Sequence, residues 1–223
     1  MINRRRVFNN SEEYQQVLYI KIPESAYCTI GCITTIPYDP YGTYIGIVSI
    51  PKEYPISSHS KSPFSGIVGF GNDINISAPA YKSSTSSWNV SRKSDSGTVG
   101  EYNINDGHKY TVKFICDRNG LKLEIYDEAQ LVLSNTNWRT PVDIEGVICI
   151  GNNTGLWSSG AWVGYIYKLE AYNKNGELYA EFIPCYKKSD KKVGFLDTFS
   201  GKFFEFLPYE HNPLNVLVGP EIN

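Results

Sequence analysis

The sequence predicts an all-β domain, a sandwich of two antiparallel sheets with little helix. Three observations carry this. Aromatic residues make up 14% of the 223 residues, with 17 Tyr, 10 Phe and 4 Trp, and aromatic and β-branched side chains fit a pleated, half-buried surface better than a helix. The runs YTVKFIC (110–116), LKLEIY (121–126) and VGYIYKLEAY (163–172) alternate core-type and solvent-type residues with the period that a half-buried strand requires. The 19 Gly and 12 Pro punctuate strand-like runs at intervals of roughly 8–12 residues, the spacing of a sandwich or barrel.

The elements follow in order. Residues 1–13 are polar and basic and read as an arm or a first edge strand, with the sandwich domain spanning 14–223. YQQVLYIKI (14–22) and AYCTIGCITTI (26–36) are strand-like, and a turn at Tyr38-Asp39-Pro40-Tyr41-Gly42 leads into the strand TYIGIVSI (43–50). Residues 51–65, rich in Pro and Ser, read as a long loop, followed by a short buried strand SGIVGFGN (65–72). Residues 77–100 are rich in Ser, Thr and Lys and read as loop, with an edge strand around Trp88. Turns at 117–120 and 127–130 separate YTVKFIC, LKLEIY and LVLSN (131–135). After the short strand VICI (147–150), TGLWSSGAW (154–162) is a Gly/Ser/Trp loop. The strand 163–172 turns at 173–176 into ELYAEFIPC (177–185), which Pro184 is expected to end because proline offers no ladder N–H. Asp197 to Gly201 suit a hairpin turn between VGFL and KFFEF, with Gly201 free to take a positive φ.

Composition narrows the function classes. The formal net charge is −2 and the sequence pI about 6.0, so the chain carries no electrostatic footprint for nucleic acid. No stretch approaches the roughly 20 apolar residues of a membrane span. Of the five cysteines, Cys116, Cys149 and Cys185 fall in apolar runs, where a free thiol behaves as a small hydrophobe. Cys28 and Cys32 lack a second ligand pair and the three His are isolated, so no metal site is assigned. An odd cysteine count without a pairing pattern, and no apolar run behind MINRRRVFNN, imply folding in a reducing cytoplasm without a signal peptide.

The last third carries a specific pattern: strand YIYKLEAYN, turn KNGEL, strand YAEFIPC, basic loop YKKSDKK, then VGFLDTFSGKFFEF and a terminal GPEIN. It resembles laminin G-like, concanavalin A-like jelly-roll domains of bacteriophage virion and tail proteins and of gut-bacterial surface proteins. The matching positions are Tyr167, Lys168, Phe182, Ile183, Pro184, Cys185, Ser189, Asp190, Val193, Gly194, Asp197, Gly201, Lys202, Phe203, Gly219 and Pro220. The match is close over 145–223 and loose before residue 100.

The resemblance implies three roles. The first is a non-enzymatic bacteriophage virion protein (auxiliary capsid, head fibre or tail component), made in the host cytoplasm and located in the virion. Its partners would be other virion proteins or further copies of itself, and Arg4, Arg5 and Arg6 would dock the arm, since bidentate Arg grips carboxylates. The second is a carbohydrate-binding module for cell-surface polysaccharide. Trp157 and Trp162 in the Gly/Ser loop, with Trp88 and Trp138, are its candidate ring platforms. Cofactors are none, although Asp106, Asp143, Asn152 and Asn153 could contribute oxygens to a Ca²⁺ site without forming a complete ligand string. The third is a laminarinase-like glycoside hydrolase, which needs two carboxylates converging on one face. The nearest run, Glu124-Ile125-Tyr126-Asp127-Glu128, has Tyr126 where that family has Asp, and its end falls in a turn. No catalytic residues are assigned.

Overall fold

The computed structural model describes residues 12–22, 29–49, 64–70, 74–79, 87–92, 96–102, 107–117, 120–138, 146–151, 164–208 and 216–222. They form seventeen strands in one continuous hydrogen-bonded system. In chain order these are β1 (Tyr14–Gln16), β2 (Ile20–Ile22), β3 (Thr29–Pro37), β4 (Thr43–Ser49), β5 (Phe64–Phe70), β6 (Ile74–Pro79), β7 (Ser87–Arg92), β8 (Ser96–Glu101) and β9 (Tyr110–Asp117). They continue with β10 (Gly120–Asp127), β11 (Gln130–Trp138), β12 (Val147–Ile150), β13 (Gly164–Tyr172), β14 (Leu178–Lys187), β15 (Val193–Asp197), β16 (Phe203–Pro208) and β17 (Leu217–Val218). The ladders between them are antiparallel.

The protein is an all-β jelly-roll sandwich. The front layer runs β11–β10–β9–β4–β13, with β14 and β2 beside β13 and β15 beyond β14. The back layer runs β3–β12–β5–β6–β7–β8. β16 pairs β15 through its first half and β3 through its second, so one strand joins the two layers.

Strand parity explains the core. In β4, Tyr44, Gly46 and Val48 point inward, and in β9 Tyr110, Val112, Phe114 and Cys116 do the same. Leu121, Leu123 and Ile125 of β10 continue the inner face. Trp88 of the back layer lies 5.8 Å, centroid to centroid, from Tyr110 of the front. A smaller apolar cluster of Ile183, Cys185 and Leu196 sits under Tyr14 and Phe203, whose rings stack at 5.2 Å. As strand geometry requires, Phe204 and Phe206 of KFFEF enter the core while Phe203 lies on the other side. The described cysteines carry no disulfide: Cys116, Cys149 and Cys185 are buried, in keeping with their apolar runs, and Cys32 is buried as well.

The structure departs from the sequence reading in three places. The Ser/Thr-rich stretch read as loop with an edge strand around Trp88 contains part of β6 and most of β8 besides β7, and β7 is paired on both sides rather than an edge, because Ser and Thr satisfy a ladder as well as any residue once β5 offers its edge. Residues 14–22 form two short strands rather than one, since β1 pairs β14 and β2 pairs β13. Pro184 lies within β14 rather than at its end. On one side β14 pairs β13 as far as Phe182 and β1 from Cys185 onward, so the missing N–H falls in the gap between two partners, while the Pro184 carbonyl accepts the Val17 N–H at 3.0 Å.

The hairpin turns follow expectation. Gly201 has φ 70°, and the Asp197 carboxylate, 1% exposed, accepts backbone N–H groups of Glu181, Phe199 and Ser200 at 2.9–3.2 Å. The β10–β11 turn places Glu128 and Ala129 at φ 46° and 77°. These are the two consecutive positive values of a tight primed hairpin, here held by residues other than glycine.

Candidate functional site

Trp88 is 0% exposed and belongs to the core, so a ligand cannot stack on it in this fold. Trp138 closes β11 opposite Leu121 in the ladder. Trp157, Trp162, the arm residues Arg4, Arg5 and Arg6, and the oxygen donors Asp106, Asp143, Asn152 and Asn153 lie outside the described residues.

The outer face of the front layer carries most of the polar chemistry. A ladder row crosses it from Glu124 through Lys113, Ile45 and Glu170 to Glu181. Glu124 is held by Lys122 at 2.5 Å and Lys113 at 3.5 Å, and it accepts the Tyr126 hydroxyl at 2.9 Å. Desolvation works against its charge, and the hydrogen bonds from Lys122 and Tyr126 outweigh that, so its pKa lies below the ordinary value. Asp127 has the opposite parity: it is buried and accepts His108 Nδ1 at 2.7 Å and the Tyr102 hydroxyl at 2.8 Å. Glu124 and Asp127 therefore project from opposite faces of β10, and Glu128 stands in the β10–β11 turn with its Oε1 on the Lys109 backbone N–H.

Glu170 and Glu181 are cross-strand neighbours bridged by Lys168 Nζ at 2.7 and 2.5 Å, and Thr198 donates to Glu181 at 2.8 Å. Partial desolvation disfavours the Lys168 charge, but the hydrogen bonds to the two glutamates raise its pKa on balance.

Beside this ion network the same face becomes aromatic. Tyr165 of β13 pairs Ser49 of β4 on one side and Lys21 of β2 on the other. Between Ile166 and Lys168 the register shifts by one residue, which makes Tyr167 the extra residue of a β-bulge. A bulge re-aims a side chain, and here Tyr165 and Tyr167 both meet Tyr19. The Tyr19–Tyr165 centroids are 4.9 Å apart at 90°, and the Tyr19–Tyr167 centroids 5.6 Å apart at 70°. Lys21 Nζ stands 5.3 Å over the Tyr165 ring and Lys109 Nζ 4.5 Å over the Tyr167 ring. Burial raises the pKa of Tyr167 against a hydrogen bond from Ser49 that lowers it. All three rings are half-buried.

The cluster is pinned from the C-terminal segment. Gly219 N–H donates to the Tyr19 carbonyl at 2.9 Å, and a Cβ at Gly219 would stand 2.9 Å from the Tyr19 ring. Only glycine lets the backbone lie this close. Tyr19, Tyr165, Lys21 and Lys109 escaped the sequence reading because they come from separate elements. One signal was present: two consecutive outward residues, Tyr167-Lys168, interrupt an otherwise regular alternation, as a bulge does.

No protein-family model matches the chain, and no curated protein matches it. Among solved structures it is similar to the native heptameric SAP-like pentraxin from Limulus polyphemus, at TM-score 0.41 and 12% identity, covering 75% of this chain and 76% of that one. It is also similar to domain 4 of AbnA, a GH43 extracellular arabinanase from Geobacillus stearothermophilus in complex with arabinotriose. There the TM-score is 0.42 and the identity 16%, covering 77% of this chain and 75% of that one.

Proposed function

We propose that this protein is a non-catalytic carbohydrate-binding module whose binding surface is the Tyr19–Tyr165–Tyr167 cluster on the outer face of the front layer. The observation that carries the reading is the ring cluster itself. Three half-exposed tyrosines are set by a bulge and two ladders on a rigid sheet, with hydroxyls and ammonium groups around them. Sugars present apolar C–H faces ringed by hydroxyls, and tyrosine offers an apolar body with a polar tip and few rotors to freeze. In sequence, residues 23–28, 50–63 and 152–163 adjoin the strands beneath the cluster. The last of these holds Trp157 and Trp162, which stay in the proposal with Trp138 as further ring contributors. The test is affinity electrophoresis through gels containing a panel of polysaccharides. Wild-type protein is retarded by at least one, and Tyr165→Ala loses about tenfold or more in affinity, the worth of one stacking contact of about 1.4 kcal/mol. Retardation unchanged by Tyr165→Ala and abolished by Trp157→Ala would place the surface on the loop instead.

A second reading, attachment to a bacteriophage virion, is favoured by the FIPC, SDKKVGFLD and GK pattern and by the way the chain ends meet. Val17 pairs Glu221, Leu18 N–H donates to the Pro220 carbonyl at 2.8 Å, and Ile222 N–H donates to the Gln16 carbonyl at 3.0 Å. A docking arm over residues 1–13 would thus be rooted on a doubly tied segment. Deleting residues 2–8 should abolish incorporation into particles, and unchanged incorporation overturns this reading. The two roles are compatible, since weak sites repeated on a particle gain avidity.

A further inference from the structure

We infer that the tyrosine cluster takes an acidic polysaccharide, one bearing uronate carboxylates, rather than a neutral one; this rests on the carbohydrate reading above. The reason lies in what already covers the rings. Lys21 Nζ occupies the Tyr165 face and Lys109 Nζ the Tyr167 face, at cation–π distance. A neutral sugar seeking either face must displace an ammonium and offers it only hydroxyl acceptors in return. An exposed cation–π contact is worth only about 0.5–1 kcal/mol, whereas a charge-assisted hydrogen bond to a carboxylate is roughly twice as strong as a neutral one. An acidic sugar therefore makes the exchange the more favourable: the ring face passes to the sugar, and the ammonium swings onto its carboxylate.

The surroundings agree with this. Among the described residues Lys109 meets no carboxylate at ion-pair distance, because the nearby Glu128 turns its Oε1 to the Lys109 backbone N–H at 2.9 Å. The lysines Lys113, Lys122 and Lys168 are by contrast committed to Glu124, Glu170 and Glu181. Lys21 lies beside Tyr165 in the ladder, and Lys109 adjoins Tyr110 of β9, so the ring row has a cation at each end. Both cations come from strand-anchored backbone, and the Tyr167 bulge turns its ring toward the second.

The experiment compares polygalacturonate with neutral dextran and arabinan, and with dextran sulfate, by equilibrium titration at low and high salt. Wild-type protein should bind polygalacturonate at least tenfold tighter than either neutral polymer and lose that preference as salt rises. Lys21→Gln and Lys109→Gln, which spare the rings, should each weaken polygalacturonate binding about threefold to tenfold and weaken no neutral binding, since they uncover a ring face. Equal or tighter binding of a neutral polymer, unaffected by the lysine variants, overturns the acidic preference and leaves the carbohydrate reading standing. Absence of binding to every polysaccharide sinks both. Tighter binding of dextran sulfate that survives Tyr165→Ala marks polyanion adsorption and overturns the inference as well.

Discussion

Asp197 shows how one side chain can organise two elements. Its carboxylate gathers three backbone N–H groups from β14 and from the turn that follows it, leaving none of them buried and unmet. The match of Asp197, Gly201 and Lys202 to the resemblance pattern thus acquires a physical meaning as hairpin chemistry. The β10–β11 turn makes the opposite choice and holds Ala129 at φ 77°, a conformation that costs an L-residue roughly 1–2 kcal/mol. Ala129→Gly should therefore stabilise the protein by about 0.5–1 kcal/mol in urea unfolding, after allowing for glycine's extra chain entropy. The thiols give a second check. Burial pushes the Cys185 thiol up to about 12 against an opposing backbone hydrogen bond, and burial also raises Cys32. Reactivity needs the thiolate. In a Cys28→Ser background, titration with a disulfide reagent at neutral pH should register no thiol in the native protein and the four buried ones after unfolding.

At the scale of elements, legibility followed hydrophobic contrast. The strands β9, β10 and β13 could be read because large apolar residues alternate there with charged ones. The strands β6 and β8 could not, and β7 only as an edge around Trp88, since Ser, Thr and Gly say little about which face is buried and only pairing to β5 and to each other defines them. Pro184 misled for a related reason: a proline is tolerated wherever no partner asks for its N–H, and the β13-to-β1 handover is a property of the sheet. Two glycines test the packing directly. A Cβ on Gly46 would meet Leu169 Cδ1 at 3.7 Å, ordinary contact at a small cavity lined by Tyr44, Ile67, Val68 and Val112. One on Gly194 would run into the Phe204 carbonyl. Gly46→Ala should stabilise by about 0.5–1 kcal/mol, and Gly194→Ala should destabilise by about 2–3 kcal/mol, both read from denaturant midpoints at constant slope.

At the scale of the whole molecule, one strand shared between layers and a C-terminal segment laid along the N-terminal one bring distant parts of the chain to one place. Tyr19, Lys21, Lys109, Tyr165, Tyr167 and Gly219 span almost the full length yet form a single patch. The site was illegible in the sequence because no local pattern announces a cluster assembled by four separate segments. The tryptophans attracted attention by residue type, yet Trp88 went to the core, where its large apolar surface is most useful. The most direct test of the central claim is NMR of the tyrosine rings during titration with an oligosaccharide excised from the bound polysaccharide. Saturable shifts are expected for Tyr19, Tyr165 and Tyr167 and none for the buried Tyr38 and Tyr44. Saturable shifts that spare all three of the cluster's rings would contradict it.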